Sequence, residues 1–238
     1  MLKIIFFDTE TTGITKDDFL CQIAYKINEK SFSGFYKPPI KIPFEASAIN
    51  HISNKMVSEQ PAFRESLDWQ NIKELFEHEN SVVVAHNAPF DLFMIKKEGI
   101  QPKNFICTKR VAQRLDKEGK IGKYNLQYLR YFLDIEIDAT AHTALGDVLV
   151  LEKLYDRLNK KIMDNEKLNE DETIKKMIEI SAEPFIFKNI NFGKYNGRNI
   201  EDIVKIDKEY LQWLLAQKES SNEIDEDWIY TLKHYLEK

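Results

Sequence analysis

Phe6-Phe7-Asp8-Thr9-Glu10-Thr11-Thr12-Gly13 decides the reading of this chain, because an apolar run that starts at Leu2 ends there in two carboxylates one residue apart and then a glycine. Side chains alternate faces along a strand, so Asp8 and Glu10 point the same way. Two carboxylates so placed can hold one divalent cation between them, and burying such like charges together needs that cation. Leu2 to Phe7 is almost wholly apolar, as expected of a strand covered on both faces in the middle of a sheet.

Outward from that strand, Gln22–Ile27 and Ser31–Tyr36 read as two more strands, joined by the polar Asn28-Glu29-Lys30 as an antiparallel hairpin. A helix is expected around Phe63–Glu79, then a buried β-branched strand at Ser81–Ala85. Asn87-Ala88-Pro89 then opens a helix running to Lys97, with Pro89 in its first turn. Phe105–Thr108 reads as a short strand, Arg110–Leu115 and Leu126–Phe132 carry helical spacing, and Thr143–Leu158 reads as a long amphipathic helix. The fold class expected is α/β, a mixed sheet flanked by helices. Charge is dense from Lys161 to Glu179, which marks a boundary. Ile174, Met177 and Ile178 keep helical spacing there, so residues 161–182 are expected as a charged, partly helical connector between a 1–160 domain and a small α+β module at 183–238. In that module Phe185, Ile186, Phe187, Ile190 and Phe192 suggest a strand or hairpin, Gly193 and Gly197 mark turns, and Tyr210–Ala216 and Asp227–Leu236 suggest helices.

Three separated stretches place an acid in a small or apolar setting: Asp8 with Glu10, Asp91 in His86-Asn87-Ala88-Pro89-Phe90-Asp91, and Asp147 in His142-Thr143-Ala144-Leu145-Gly146-Asp147. Four oxygen ligands suit two Mg²⁺ or Mn²⁺ ions, the arrangement used for in-line phosphodiester hydrolysis. Zinc is disfavoured because neither cysteine has ligand spacing. His142 stands five residues before Asp147, about 140° away on a helix, so it belongs before the helix proper. From there it could take a proton from an attacking water, for which an ordinary pKa near ~6.5 is well matched. His86 reads as a scaffold residue that hydrogen-bonds locally, and His78 and His234 as solvated.

The ordered pattern Asp-x-Glu-Thr-Thr-Gly, His-Asn-Ala-x-Phe-Asp and His-x4-Asp over roughly residues 1–158 resembles the DnaQ-like (DEDDh) 3′–5′ exonucleases. That resemblance implies an RNase H-like mixed sheet, two metal ions, and release of 5′-mononucleotides from a 3′ end. It implies metal binding by Asp8, Glu10, Asp91 and Asp147, and His142 as general base. It also implies that Thr11, Thr12 and Gly13 approach the terminal nucleotide. Ala48-Ile49-Asn50-His51-Ile52 is similar to the family's nucleotide-contacting segment, with Asn50-His51-Ile52 where His-Gly-Ile is frequent. Asn87 and Phe90 complete the expected substrate contacts, although Phe90 at helical spacing reads first as core. Phe185 to Leu215, with Phe192-Gly193-Lys194-Tyr195-Asn196-Gly197 and Tyr210-Leu211-Gln212-Trp213-Leu214, resembles the module appended to exonuclease X-like enzymes.

Residues 184–200 contain Lys188, Lys194 and Arg198 and no acid, so with Tyr195 they could hold phosphates and stack a base. Equally, the aromatics there could pack on Trp213 and leave the lysines merely exposed. The chain of 238 residues has a net charge of -5, which gives no global attraction to nucleic acid, so any phosphate contact must rest on a local patch or on metal. Hydrophobic residues at 43%, with only 8 Gly and 7 Pro, argue for compact folding. Cys21 and Cys107 lie in apolar, strand-like settings and read as buried thiols of a cytoplasmic protein, without a disulfide framework. No run suits a signal segment or a membrane span. The function expected is a 3′–5′ exodeoxyribonuclease acting in DNA repair or 3′-end processing, with nucleic acid as partner and DNA favoured over RNA. Its rivals are an RNase T-like RNA exonuclease, a proofreading subunit of DNA polymerase III, and an inactive nucleic-acid-binding module. Assembly as a homodimer and a polymerase partner are left open.

Overall fold

The computed structural model describes residues 2–137 and 143–237. Its sheet has five strands, β1 (Lys3–Thr11), β2 (Leu20–Ile27), β3 (Lys30–Phe35), β4 (Ser81–Ala85) and β5 (Asn104–Cys107), in the order β3-β2-β1-β4-β5. β2 runs antiparallel to β1 and to β3, whereas β1, β4 and β5 are mutually parallel, so the sheet is mixed as expected. The parallel strands are joined through the helices α3 (Leu67–Glu77) and α4 (Ala88–Lys97). Before them stand two short helices that the sequence did not suggest, α1 (Phe44–Asn50) and α2 (Asn54–Val57). After β5 come α5 (Thr108–Leu115), α6 (Leu126–Phe132) and α7 (Ala144–Glu166).

The period of two along the strands divides the core into two layers. Phe6, Val82, Val84 and Ile106 face one way and pack with Val148, Leu151, Leu154 and Tyr155 of α7. Ile5, Phe7, Ile23, Val83 and Ala85 face the other way, onto Ile72 and Phe76 of α3 and Ile95 of α4. Ring pairs reinforce each layer, Phe6 edge-on to Tyr155 at 5.2 Å and Phe7 edge-on to Phe76 at 5.1 Å. No helix among the described residues is long and apolar enough to cross a membrane.

Two compact units emerge, the first formed by Met1–Ile14 and Asp18–Ala182, the second by Thr15–Asp17 and Glu183–Lys238. The stretch expected as a connector, 161–182, is thus part of the first unit. α7 continues to Glu166, and α8 (Glu170–Ala182) buries Thr173, Ile174, Met177 and Ser181. Ser181 ties that helix down, its Oγ accepting from the Cys107 N–H (2.8 Å) and its carbonyl accepting from Arg110 Nη1 (2.7 Å). The dense charge is the outer face of an amphipathic helix.

In the second unit α9 (Ile200–Ile206), α10 (Lys208–Ser220) and α11 (Glu226–Leu236) surround Ile190, Ile200, Ile203, Leu211, Leu214, Trp228 and Leu232. The strand expected over Phe185–Phe192 reduces to one antiparallel bridge, Asn189 with Asn199. Helix α11 supplies the missing partners instead: Phe185 N–H donates to Asp227 Oδ1 (3.0 Å), and Phe187 N–H to Thr231 Oγ1 (3.1 Å). Backbone groups satisfied by side chains need no neighbouring strand.

Candidate active site

Because β1 and β4 are parallel neighbours, their C-terminal ends lie side by side and the first turn of α4 follows β4 there; strand ends of this kind border the crevice in which such sheets usually take a ligand. Asp8 and Glu10 lie on the face of β1 that also carries Phe6, toward α7. Asp147 lies in the first turn of α7, an entry capped by Thr143, whose Oγ1 accepts from the Gly146 N–H (3.2 Å). Asp8, Glu10 and Asp147 each offer an oxygen within 4.8 Å of the others.

Asp91 reaches the crevice from the opposite layer. β4 stops at Ala85, Asn87 takes a left-handed conformation (φ 67°), and Pro89 sits in the first turn of α4, which leaves Asp91 buried in that turn. Its Oδ1 accepts from both the N–H (3.1 Å) and the hydroxyl (2.7 Å) of Thr9. Thr9 faces α4 because its two neighbours face α7.

Burial, above all, pushes the Asp8 carboxyl well up, and Asp91, Glu10 and Asp147 add to the effect. Glu10 is pushed up to about 8 by burial first, then by Asp147 and Asp91. Asp91 is pushed up to about 7 by burial, against the two hydrogen bonds from Thr9 that favour its charged form. Carboxyls that raise one another in this way favour a bound cation, and oxygen donors alone suit a hard divalent one. Cys21 fits that reading: it is buried, and burial, with Glu10 second, pushes its thiol up to about 12, so it offers no thiolate. The residues present therefore fit Mg²⁺ or Mn²⁺.

The remaining expected residues divide. The hydroxyl of Thr11 donates to the carbonyl of Gly13, and the hydroxyl of Thr12 donates to Asp18 Oδ1 (2.8 Å), so both side chains hold the loop after β1. A Cβ on Gly13 would lie 2.6 Å from Asp18 Oδ2, which gives the glycine a steric reason. His51 is exposed and left-handed (φ 60°) where α1 ends. Ile52, by contrast, is buried against Cys21, Ile42 and Val57, so its side chain packs the core. Asn87 Oδ1 accepts from Lys109 Nζ (3.1 Å), and Phe90 is half-buried. His86 is a scaffold residue, its ring nitrogens at 2.9 Å from Thr108 Oγ1 and 2.7 Å from the Tyr124 carbonyl. His142 lies outside the described residues.

In the second unit Lys194 Nζ and the Tyr195 hydroxyl both donate to Asp207 Oδ2, at 2.8 and 2.7 Å, while Lys188 and Arg198 are exposed. The aromatics pack on Trp228 rather than Trp213: Phe187 stacks on it at 4.4 Å, and Trp213 is exposed.

Three residues at the site are given no role of their own by the sequence. Thr9 anchors Asp91. Asn50 donates from Nδ2 to the Thr11 carbonyl (3.1 Å) and accepts from the Ile52 N–H (3.0 Å), tying the 50–52 segment to the end of β1. Gln127, on α6, donates from Nε2 to Asp147 Oδ1 (2.5 Å). Thr9 carried a signal in its place between two acids on a strand and Asn50 in its place before His51 in the segment similar to a nucleotide-contacting one, whereas Gln127 carried none.

The "Exonuclease" family model matches residues 5–155, and the "Exodeoxyribonuclease X-like C-terminal" model matches residues 190–219. The chain is 29% identical over 243 residues to "Exodeoxyribonuclease 10" of Escherichia coli K12, covering 100% of this chain and 99% of that protein. It is 34% identical over 172 residues to a "DNA polymerase III subunit epsilon-like protein" of Rhodobacter capsulatus, covering 66% of this chain and 24% of that protein. Among solved structures, the fold is similar to "Exonuclease X in complex with 5′ overhanging duplex DNA", with a TM-score of 0.59 at 24% identity, covering 75% of this chain and 99% of that one. With its carboxylates gathered at the ends of two parallel strands and most of its length matched, the chain belongs to the exonuclease family and is a 3′–5′ exonuclease, a phosphodiester hydrolase.

Proposed function

We propose that the chain removes 5′-mononucleotides from the 3′ ends of DNA, with two Mg²⁺ or Mn²⁺ ions, in DNA repair or 3′-end processing in the cytoplasm. The observation that carries the reading is the convergence of Asp8, Glu10 and Asp147 within 4.8 Å, with Asp91 near enough to raise the carboxyls of Asp8 and Glu10. Asp8, Glu10, Asp91 and Asp147 would hold the ions. When bound, divalent ions activate a water toward phosphorus and neutralise charge on the leaving 3′ oxygen.

The side chains have work of their own. Each carboxyl must give up its proton to ligate, and the hydrogen bonds from Thr9 to Asp91 favour that charged form. His142, five residues before Asp147, is assigned as the base that takes a proton from the attacking water. The loop Thr11–Gly13 and the exposed His51 are the proposed nucleotide contacts, with Asn87 and Phe90 beside Asp91. Lys188 and Arg198 are the candidates for backbone contacts in the second unit, since Lys194 and Tyr195 already share Asp207.

DNA as substrate is supported by end-to-end similarity to a protein named as an exodeoxyribonuclease. The catalytic carboxylates ignore the sugar, so RNA is the rival, decided by contacts at the 2′ position. A homologous C-terminal module supports an exonuclease X-like enzyme over a polymerase subunit.

Digestion of matched 5′-labelled DNA and RNA oligonucleotides with Mg²⁺ or Mn²⁺ tests the reading. A shortening ladder on DNA is expected; a ladder on RNA alone would reassign the substrate, and none on either would leave a binding module. Asp8→Ala and Asp147→Ala should each lose several kcal/mol of transition-state stabilisation, roughly 10³-fold or more in rate. Both should melt no lower than the parent, because each removes one of a set of mutually repelling groups. Near-normal turnover in either variant overturns the metal assignment.

A further inference from the structure

Helix α6 carries a side chain that reaches into the carboxylate set from outside it. Gln127 Nε2 donates to Asp147 Oδ1 at 2.5 Å. An ionised carboxylate, the form that ligates a cation, can only accept, so with Asp147 in that form the amide has one permitted orientation, nitrogen toward Asp147. Its own oxygen, Oε1, is then turned away, buried and without a partner among the described residues. An amide held so, at the expense of an unsatisfied carbonyl, serves its neighbour rather than its own hydrogen bonding. Asn125 fixes the start of that helix, its Oδ1 accepting from the Tyr128 N–H at 2.8 Å, and Leu129 sits fully buried two residues beyond Gln127, so the amide is delivered from a packed element.

We propose that Gln127 is a positioning residue for cation binding: it holds the Asp147 carboxylate in the orientation in which that group, together with Asp8 and Glu10, takes a divalent ion. The inference rests on the metal-site reading above. Outer partners of ligating carboxylates, when removed, cost 10- to 100-fold in metal affinity or activity.

Gln127→Met keeps the length of the side chain and removes the donor; Gln127→Asn withdraws the donor by one methylene. Mn²⁺ is titrated calorimetrically into the parent and both variants in the absence of nucleic acid, alongside melting of the metal-free proteins. The expected result is an affinity for Mn²⁺ weakened roughly 10- to 100-fold in both variants, with metal-free melting temperatures no lower than the parent's. In turnover assays the Mn²⁺ concentration for half-maximal rate should rise while the rate at saturating Mn²⁺ stays near the parent's, a split that a merely structural role would not give. Parent-like affinity in the variants that fold overturns the role of Gln127. A parent that binds no Mn²⁺ overturns the metal site itself, so the two failures are distinct.

Discussion

Thr9 stands between Asp8 and Glu10 in sequence and serves the other side of the sheet, where its N–H and hydroxyl both meet Asp91. That arrangement concentrates acid from two layers at one point, and its energetic signature is the raised carboxyls. An unfolded chain releases the protons of Asp and Glu near pH ~4, whereas folded, metal-free Glu10 and Asp91 release theirs at about 8 and about 7. Between those limits the folded state binds more protons, so stability is fully present below the unfolded pKa and is lost as pH rises through the folded one. The metal-free protein should therefore show a carboxylate contribution that weakens from about pH 4 to pH 8, and Mn²⁺ should raise the melting temperature more at pH 8 than at pH 6. Thermal melts with and without Mn²⁺ check this, and a larger rise at pH 6 would contradict it. Asp8 and Glu10 were legible because their spacing on a strand is local. Gln127 was not, because nothing near it in the chain announces that α6 lies beside Asp147.

Among the elements, the turn from β4 into α4 shows how a side chain can bind three segments together. His86 takes the Thr108 hydroxyl at the start of α5 on one nitrogen and gives its other N–H to the carbonyl of Tyr124. Burial, only partly offset by the bond to Tyr124, holds the imidazole down at about 4, so the ring is neutral and its Nδ1 is the acceptor in this pairing. The unfolded ring titrates near ~6.5, so this contribution is intact above that value and fades as pH falls toward 4. His86→Phe should cost about 1–3 kcal/mol at pH 7 and less at pH 5, as urea unfolding at the two values would reveal; an equal or larger loss at pH 5 would refute the neutral-ring account. Most strands and long helices were readable from periodicity, since buried β-branched runs such as Ser81–Ala85 and the apolar stripe of α7 mean the same thing in any context. The segment Phe185–Phe192 was not, because its apolar pattern suits a strand while Asp227 and Thr231, some forty residues on, supply the hydrogen bonds a strand would have made.

At the scale of the whole molecule, the limits of the first unit follow from where Ser181 sits. Its hydroxyl and carbonyl meet Cys107 on β5 and Arg110 on α5, while Ile174 and Met177 join the core under α7. A chain cut after Lys160 leaves that core open and the Arg110 guanidinium without its carbonyl. A chain ending at Ala182 should melt cooperatively, and one ending at Lys160 should aggregate or melt without a sharp transition; scanning calorimetry distinguishes them, and equal cooperativity would place the boundary earlier. Composition alone could not locate it, because a helix with one charged face and a solvated linker share the same residues. The alternation along β1 has a genetic corollary. Loss of one codon anywhere in Lys3–Phe7 would not shorten the strand by a residue at its frayed end; it would exchange the two sides of everything upstream of the lesion relative to Asp8. Either the carboxylates would then turn into the layer of Phe76 and Ile95, or the apolar residues would turn out of theirs. Point substitutions in that stretch can be absorbed by repacking, whereas a change of length leaves no frame in which core and chemistry are both satisfied.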